Sequence, residues 1–185
     1  MALLAVAVLA FALIHLVPAV PPLKARLQDA LGAAYGAVFG IAATAALVLI
    51  IVGWNVSDYV AVYEPPMGLR QATVGLVLLA FLCLGVFLFR GRLRQHLRFP
   101  LAIAVMLWGA GHLLANGDLA SLILFGGLFA YAAAHLALGL AFGVRPSPEV
   151  RSGHDILSLV AGVALYIAMV QLHPVLIGVP VLAYP

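Results

Sequence analysis

Long apolar runs alternate with short polar connections along the whole chain. The runs are long enough for membrane-spanning helices and lack the strict two-residue alternation of an outer-membrane barrel. The pattern therefore predicts an all-α, polytopic membrane helix bundle with about six transmembrane helices and a single domain over residues 1–185. The predicted helices fall within 1–20, 31–56, 71–89, 99–117, 119–143 and 156–177.

Composition supports an integral membrane protein. Only 8% of the residues are charged, and the mean hydropathy is +1.21, whereas soluble domains carry roughly a quarter charged residues. The lipid bilayer is therefore the first predicted partner.

Basic residues are distributed unequally between the connections. The positive-inside rule makes the side with most Lys and Arg cytoplasmic, so the sequence predicts a multi-pass protein of the bacterial inner (cytoplasmic) membrane with both termini on the outer (periplasmic) side. Only Arg70 lies on the other side. The three cytoplasmic connections carry Lys24 and Arg26, then Arg90, Arg92, Arg94 and Arg98, then Arg145 and Arg151.

Several other classes of function are disfavoured. The stretch RGRLRQHLR is typical of a topology signal or an anionic-lipid contact, so no nucleic-acid partner is expected. The single cysteine, Cys83, excludes a disulfide framework and a thiolate metal cluster. Gly32, Gly36 and Gly40 form a smooth helix face, which favours close packing on another helix of the same chain over a second copy. The oligomeric state stays open.

Four histidines fall within or near the ends of predicted helices, where ionisable side chains are usually functional. A proton relay is disfavoured because no Asp or Glu lies in a predicted span, and a zinc site would need at least three of the imidazoles to converge. A b-type haem needs only one or two axial imidazoles. The candidate cofactor-binding residues are His15, His112, His135 and His173.

Three segments carry a family resemblance. The most specific is LRFPLAIAVMLWGAGHLLANGDLASLILFGG; the others are HLVPAVPPLKARLQDALGAAY and the pair His173-Pro174 followed by Gly178. In these segments the chain resembles the NnrU family, whose relatives include the haem-containing zeta-carotene isomerase. The resemblance implies haem b held by His15 and His112 as metal ligands.

The resemblance also implies a redox or isomerase-like role, associated in the NnrU branch with nitrite and nitric oxide metabolism, and an apolar small-molecule substrate or a redox partner. No catalytic residue is assigned, and whether the chain is an enzyme stays open. Two departures weigh against carotenoid isomerisation. Phe99 stands where relatives commonly have histidine, and Gly109 stands where the isomerase branch has cysteine.

Helix geometry favours a different pairing from the resemblance. At ~1.5 Å per residue, His15 lies about 8 Å to the cytoplasmic side of its helix centre and His112 about 6 Å to the outer side. Two axial imidazoles hold their Cα atoms roughly 13 Å apart, and the depth difference between His15 and His112 alone nearly uses that distance. By depth alone, His15 matches His135 and His112 matches His173. The alternative function is a small-molecule permease or a membrane assembly factor whose histidines are structural and bind no haem.

Overall fold

The computed structural model describes residues 1–181, and every regular element there is helical. The predicted all-α, multi-pass architecture is confirmed. Three-residue 3₁₀ turns lie at Val17–Ala19, Gly32–Ala34 and Met67–Leu69, and a π-helical turn at Leu122–Gly126. The α-helices are α1 Ala2–Leu16, α2 Pro21–Leu31, α3 Tyr35–Asn55, α4 Arg70–Leu88, α5 Arg92–Leu97, α6 Pro100–Leu113, α7 Leu119–Ser121, α8 Gly127–Ala141 and α9 His154–Ile177.

Five helical segments are long and apolar enough to cross a membrane: Ala2–Ala19, Pro21–Asn55, Arg70–Leu88, Leu119–Ala141 and His154–Ile177. The sixth apolar segment, α6, has 14 residues. At ~1.5 Å per residue it is about 21 Å long, against a hydrocarbon core of ~30 Å. The helix predicted over 99–117 therefore ends earlier than expected.

Residues of the connection between α3 and α4 contact the C-terminal end of α6. The Tyr63 hydroxyl shares its single proton between the carbonyl oxygens of Leu113 and Asn116. The Leu113 carbonyl is one of the acceptors left unsatisfied at the end of α6. The backbone N–H groups of Val62 and Tyr63 donate to the Gly117 carbonyl over 2.9 and 3.0 Å, and a Cβ at Gly117 would collide with the Tyr63 backbone. The Tyr63 side chain therefore caps a helix.

Successive long helices run in alternating directions. The first turn of α1 packs on the last turn of α3, where a Cβ added to Gly53 would lie 2.8 Å from the Leu4 backbone. Arg70, at the start of α4, donates to the Val181 carbonyl over 3.1 Å. The chain start, the start of α4 and the last described residue thus share one end of the bundle, called here the opposite end (residues 1, 55–69, 114–118 and 178–181).

The three basic connections share the other end, called here the basic end (residues 17–34, 89–99 and 142–153). The Arg98 side chain donates to the Val144 carbonyl over 2.6 Å, and the Arg151 backbone N–H donates to the Arg90 carbonyl over 2.8 Å. The Val17–Ala19 turn contacts α8. The basic connections therefore lie together, while the assignment of this end to the cytoplasm stays a prediction.

The main helix contacts form a row in the order α3, α1, α8, α6, α4, α9. Its close contacts use glycines other than the predicted ones: a Cβ at Gly85 would collide with the Ser158 carbonyl, and one at Gly162 would lie 2.8 Å from the Phe81 carbonyl. A Cβ at Gly36 or Gly40 would meet nothing within 4 Å among the described residues. The prediction that the face of Gly32, Gly36 and Gly40 packs on another helix of the same chain is wrong, because α3 is the last helix at one end of the row.

Candidate functional site

Three of the four intramembrane histidines have an aromatic residue four positions earlier on the same helix. Helical side chains lean toward the N-terminus, so each imidazole lies over the ring one turn before it. The aromatic neighbour is therefore a built-in wall of each imidazole site. The pairs are Phe11 with His15, Trp108 with His112, and Tyr131 with His135.

His15 is half-buried near the end of α1. Its Nδ1 lies 2.8 Å from the Phe11 carbonyl oxygen, and its ring stacks on Phe11 at 4.0 Å between centroids. The edges of Phe39 and Tyr131 close two further sides at 5.4 and 5.9 Å. Since a carbonyl only accepts, this bond assigns the proton of the neutral ring to Nδ1, and Nε2 keeps a free lone pair.

His112 repeats this arrangement at the end of α6. Its Nδ1 lies 2.9 Å from the Trp108 carbonyl oxygen. Its ring stacks on Phe125 at 4.4 Å, and Trp54 contacts the same Phe125 ring at 6.0 Å. The free nitrogen is again Nε2. The Trp54 ring packs inside the bundle.

His135 lies in α8 close to the His15 site. The Tyr131 ring is 5.9 Å from His15 and 6.1 Å from His135, so it lies in contact range of both imidazoles. Neither the Tyr131 hydroxyl nor the His135 ring has a hydrogen-bond partner within residues 1–181. No fully buried side-chain polar atom in this part of the chain is unsatisfied, so both groups keep access to space outside the packed interior.

His173 lies near the end of α9, at the same end of the bundle as His112. Its Nδ1 is 2.6 Å from the Val179 carbonyl oxygen, which the chain brings back through a left-handed bend at Gly178. It is half-buried. A third imidazole thus has Nδ1 occupied by its own backbone and Nε2 free.

The structure brings His15 and His135 together at Tyr131, as their predicted depths suggest. It does not bring His15 into contact with His112, because α1 and α6 each pack on α8. Their contacts on the α7–α8 segment, Tyr131 and Phe125, are six residues apart, which is about 9 Å along the axis. This is less than the sum of the two depths predicted from the sequence, about 8 and about 6 Å.

An apolar groove of about 400 Å³ lies between α1 and α8. Small side chains make it, including Ala5, Ala12, Ala130 and Ala134, and Tyr131 contributes to its wall. Its volume falls in the range of small-molecule sites, which is ~300–1,000 Å³. The groove therefore suits an apolar molecule or a hydrocarbon chain.

The other two histidines of the chain, and Phe99, have structural roles at the basic end. The His154 Nδ1 accepts the Arg90 N–H over 3.1 Å, and the His96 Nδ1 lies 2.9 Å from the Arg92 carbonyl oxygen. Phe99, the position that the resemblance matches to a histidine of relatives, is buried, and its ring fills the space beside Gly139. This position is thus a packing contact between the start of α6 and the end of α8.

The described residues form no ligand set for a directly coordinated metal ion. Within residues 1–181, no group of three or more His, Cys, Asp and Glu side chains could hold a metal ion. A haem iron requires only one or two axial imidazoles, so a single pair of histidines is a sufficient ligand set for that cofactor.

Comparison with known proteins gives one match. The family model described as NnrU protein matches residues 3–181. No curated protein and no solved structure matches the chain.

Proposed function

Because the chain belongs to the NnrU family, we propose that it is a membrane protein that would hold haem b through intramembrane histidines, with His15 and His112 as the residues that would bind the iron. One observation carries the proposal. In both residues Nδ1 bonds to the backbone carbonyl one turn earlier while the ring stacks on an aromatic side chain, and together these contacts fix the ring and leave Nε2 as the atom that would bind iron. Such an outer hydrogen bond is usual for a ligating histidine.

The surroundings of the two imidazoles fit a flat apolar group. Aromatic rings wall both sites. Bound haem would supply one-electron redox chemistry in a site of low polarity, where axial ligands and burial set the potential. The residues of this chain would hold the group, orient its ligands and exclude water.

His135 and His173 complete the proposed cofactor-binding set. His135 and Tyr131 present polar groups next to His15 without a protein partner among the described residues. A polar group without a partner is costly in a membrane, so we assign His135 and Tyr131 to contacts with bound cofactor or substrate. His135 is also the ligand that would replace His112 if depth decides the pairing.

The proposed activity is a redox or isomerase-like step in the bacterial inner membrane, linked to nitrite and nitric oxide metabolism. The apolar groove between α1 and α8 supports an apolar small molecule as substrate. Phe99 and Gly109 lack the donor groups of the isomerase branch, which favours the redox role over polyene isomerisation.

Absorption spectra of the purified protein test the proposal. We expect a Soret band that shifts on reduction when haem is supplied during expression, and its absence in the natural chain would overturn the proposal. His15→Ala and His112→Ala should each abolish the band. His96→Ala is the matched control, because His96 makes the same Nδ1 bond but lies exposed at the basic end. Gel filtration checks that every variant is folded.

The His135→Ala variant decides between the two pairings. If His15 and His112 are the ligands, haem content is retained in His135→Ala. Loss of the band in His15→Ala and His135→Ala, with retention in His112→Ala, would reassign the site to α1 and α8.

A second function is a small-molecule permease or assembly factor in which the histidines brace the bundle. The stacking of His15 on Phe11 and of His112 on Phe125 supports it, since a packed ring also stabilises helix contacts. This function predicts a lower melting temperature in the alanine variants and no haem in any of them.

A further inference from the structure

The helix α2 occupies a position where the sequence pattern predicted a loop. It joins α1 to α3 at the basic end and is set off from α3 by a turn in which Gly32 adopts a φ of +53°. The segments that contain α1 and α3 are long and apolar enough to span a membrane. A helix between the ends of two spans lies at the membrane boundary, so its surfaces face lipid headgroups and water.

Apolar and charged side chains of α2 are segregated. At 100° per residue, Leu23, Leu27 and Ala30 share one face, while Ala25 and Asp29 lie on the other. Lys24 and Arg26 project at the two borders of the apolar face. Leu23 remains 39% exposed and Ala30 is exposed, whereas Leu27 is half-buried, so the protein itself covers this face only in part. Such segregation is typical of a helix that lies flat in the headgroup layer.

Both basic side chains of α2 are free to bind an anion. The two ion pairs within residues 1–181 both use Glu149, with Arg90 and Arg151 as the cations. Lys24 and Arg26 therefore have no carboxylate partner in the described part of the chain. Long basic side chains at the border of an apolar face extend toward the phosphate level of the bilayer.

We propose that α2 is an interfacial helix that binds anionic phospholipid headgroups through Lys24 and Arg26. Leu23, Leu27 and Ala30 rest on the upper acyl chains, and the two cations contact lipid phosphates on either side. The positive charges of Lys24 and Arg26 complement an anionic leaflet. This binding does not involve haem.

Spin labelling tests the orientation of α2. In a Cys83→Ala background, single cysteines replace Leu27 on the apolar face and Asp29 on the other, and the labelled full chain is placed in nanodiscs of phosphatidylglycerol and phosphatidylcholine. We expect oxygen to relax the label at 27 more than a water-soluble nickel chelate does, and the reverse at 29. Equal profiles at the two positions would overturn the proposal.

Lipid competition tests the charges. Native mass spectrometry of the detergent-solubilised protein measures phosphatidylglycerol bound against phosphatidylcholine. Each basic residue near an anionic surface contributes about fivefold in binding, so Lys24→Gln with Arg26→Gln should lower the preference about 25-fold. The control, Arg92→Gln with Arg145→Gln, removes the same charge from the same end and should retain most of it. Equal losses in the two double variants would assign the preference to net charge and reject the α2 site.

Discussion

At the scale of single residues, the environment of an imidazole decides its chemistry more than its hydrogen bond does. His96, exposed on α5, makes the same Nδ1 bond to its own helix as His15 and His112. Only the latter two combine that bond with a stacked aromatic ring. A free Nε2 is therefore available in all three, but only these two rings are packed against aromatic side chains and half-buried.

Part of this environment was readable from the sequence. Trp108 and Tyr131 precede His112 and His135 by four residues, which places each pair on one helix face. Phe125 was not readable as the stacking partner of His112, because it lies in the π-helical turn, where the angular register of a regular helix fails.

Glycine substitutions separate the contacts that pack the bundle from those that do not. Gly85→Ala would place a methyl group against the Ser158 carbonyl, and forcing α4 from α9 should cost about 1–3 kcal/mol. We expect a lower melting temperature in detergent. Gly36→Ala is the control: its methyl group meets nothing within 4 Å among the described residues, and a helical alanine is favoured over glycine by about 0.5–1 kcal/mol. A Gly36→Ala variant less stable than Gly85→Ala would contradict the observed packing.

At the scale of elements, Glu149 connects two segments of the basic end. Its carboxylate accepts from the Arg151 side chain over 3.1 Å and pairs with Arg90, which follows α4. The Arg151 hydrogen bond, together with the charges of Arg90 and Arg151, holds the pKa of Glu149 below its ordinary value. The connections before α5 and before α9 are thus tied by a carboxylate that must be ionised.

This tie predicts a pH-dependent stability difference. Because the folded pKa is lowered, the stabilisation is present above the ordinary carboxyl value of ~4.3 and is lost as the pH falls through the folded pKa. Glu149→Gln should therefore melt slightly below the natural chain at pH 7, and the difference should vanish in acid. The effect is small because the pair is exposed. Glu64→Gln, at the opposite end, is the control, and a difference that grows in acid would contradict the argument.

Element boundaries show where sequence patterns lose information. The Lys and Arg of 21–31 and its two prolines are typical of a loop, yet Pro21 and Pro22 occupy the first helical turn, where proline needs no hydrogen bond. The early end of α6 depends on the Tyr63 hydroxyl, fifty residues away. The Asn116-Gly117 turn and the Asp118 N-cap, which accepts from the Ser121 N–H over 2.9 Å, are local and were predictable.

At the scale of the whole molecule, hydropathy and charge placement predict the alternation of helices. The three basic connections meet at one end, and Arg70 lies at the other with Val181. The order of helices in the row was not predictable, since each apolar helix offers lipid-like side chains on all sides. Close contacts at small residues, such as that of Gly53 with Leu4, determine which helices pack against each other.

Reporter fusions test the predicted orientation of this arrangement. In a bacterial host, alkaline phosphatase fused after Val181 should be active, because that enzyme folds only outside the cytoplasm, and green fluorescent protein at the same position should be dark. Fusions after Gly153, at the basic end, should give the reverse. Active phosphatase after Gly153 would contradict the positive-inside assignment.

The shortness of α6 has a consequence for biosynthesis. Insertion machinery admits a nascent segment according to its apolar length, and 14 residues fall below the ~17 that suffice for a span. α4, which packs against α6, is already in the bilayer when α6 leaves the ribosome, and α8 follows. We therefore expect the segment that carries His112 to enter lipid together with a neighbouring helix, and the stacking of His112 on Phe125 to form only once the Phe125 segment has been delivered.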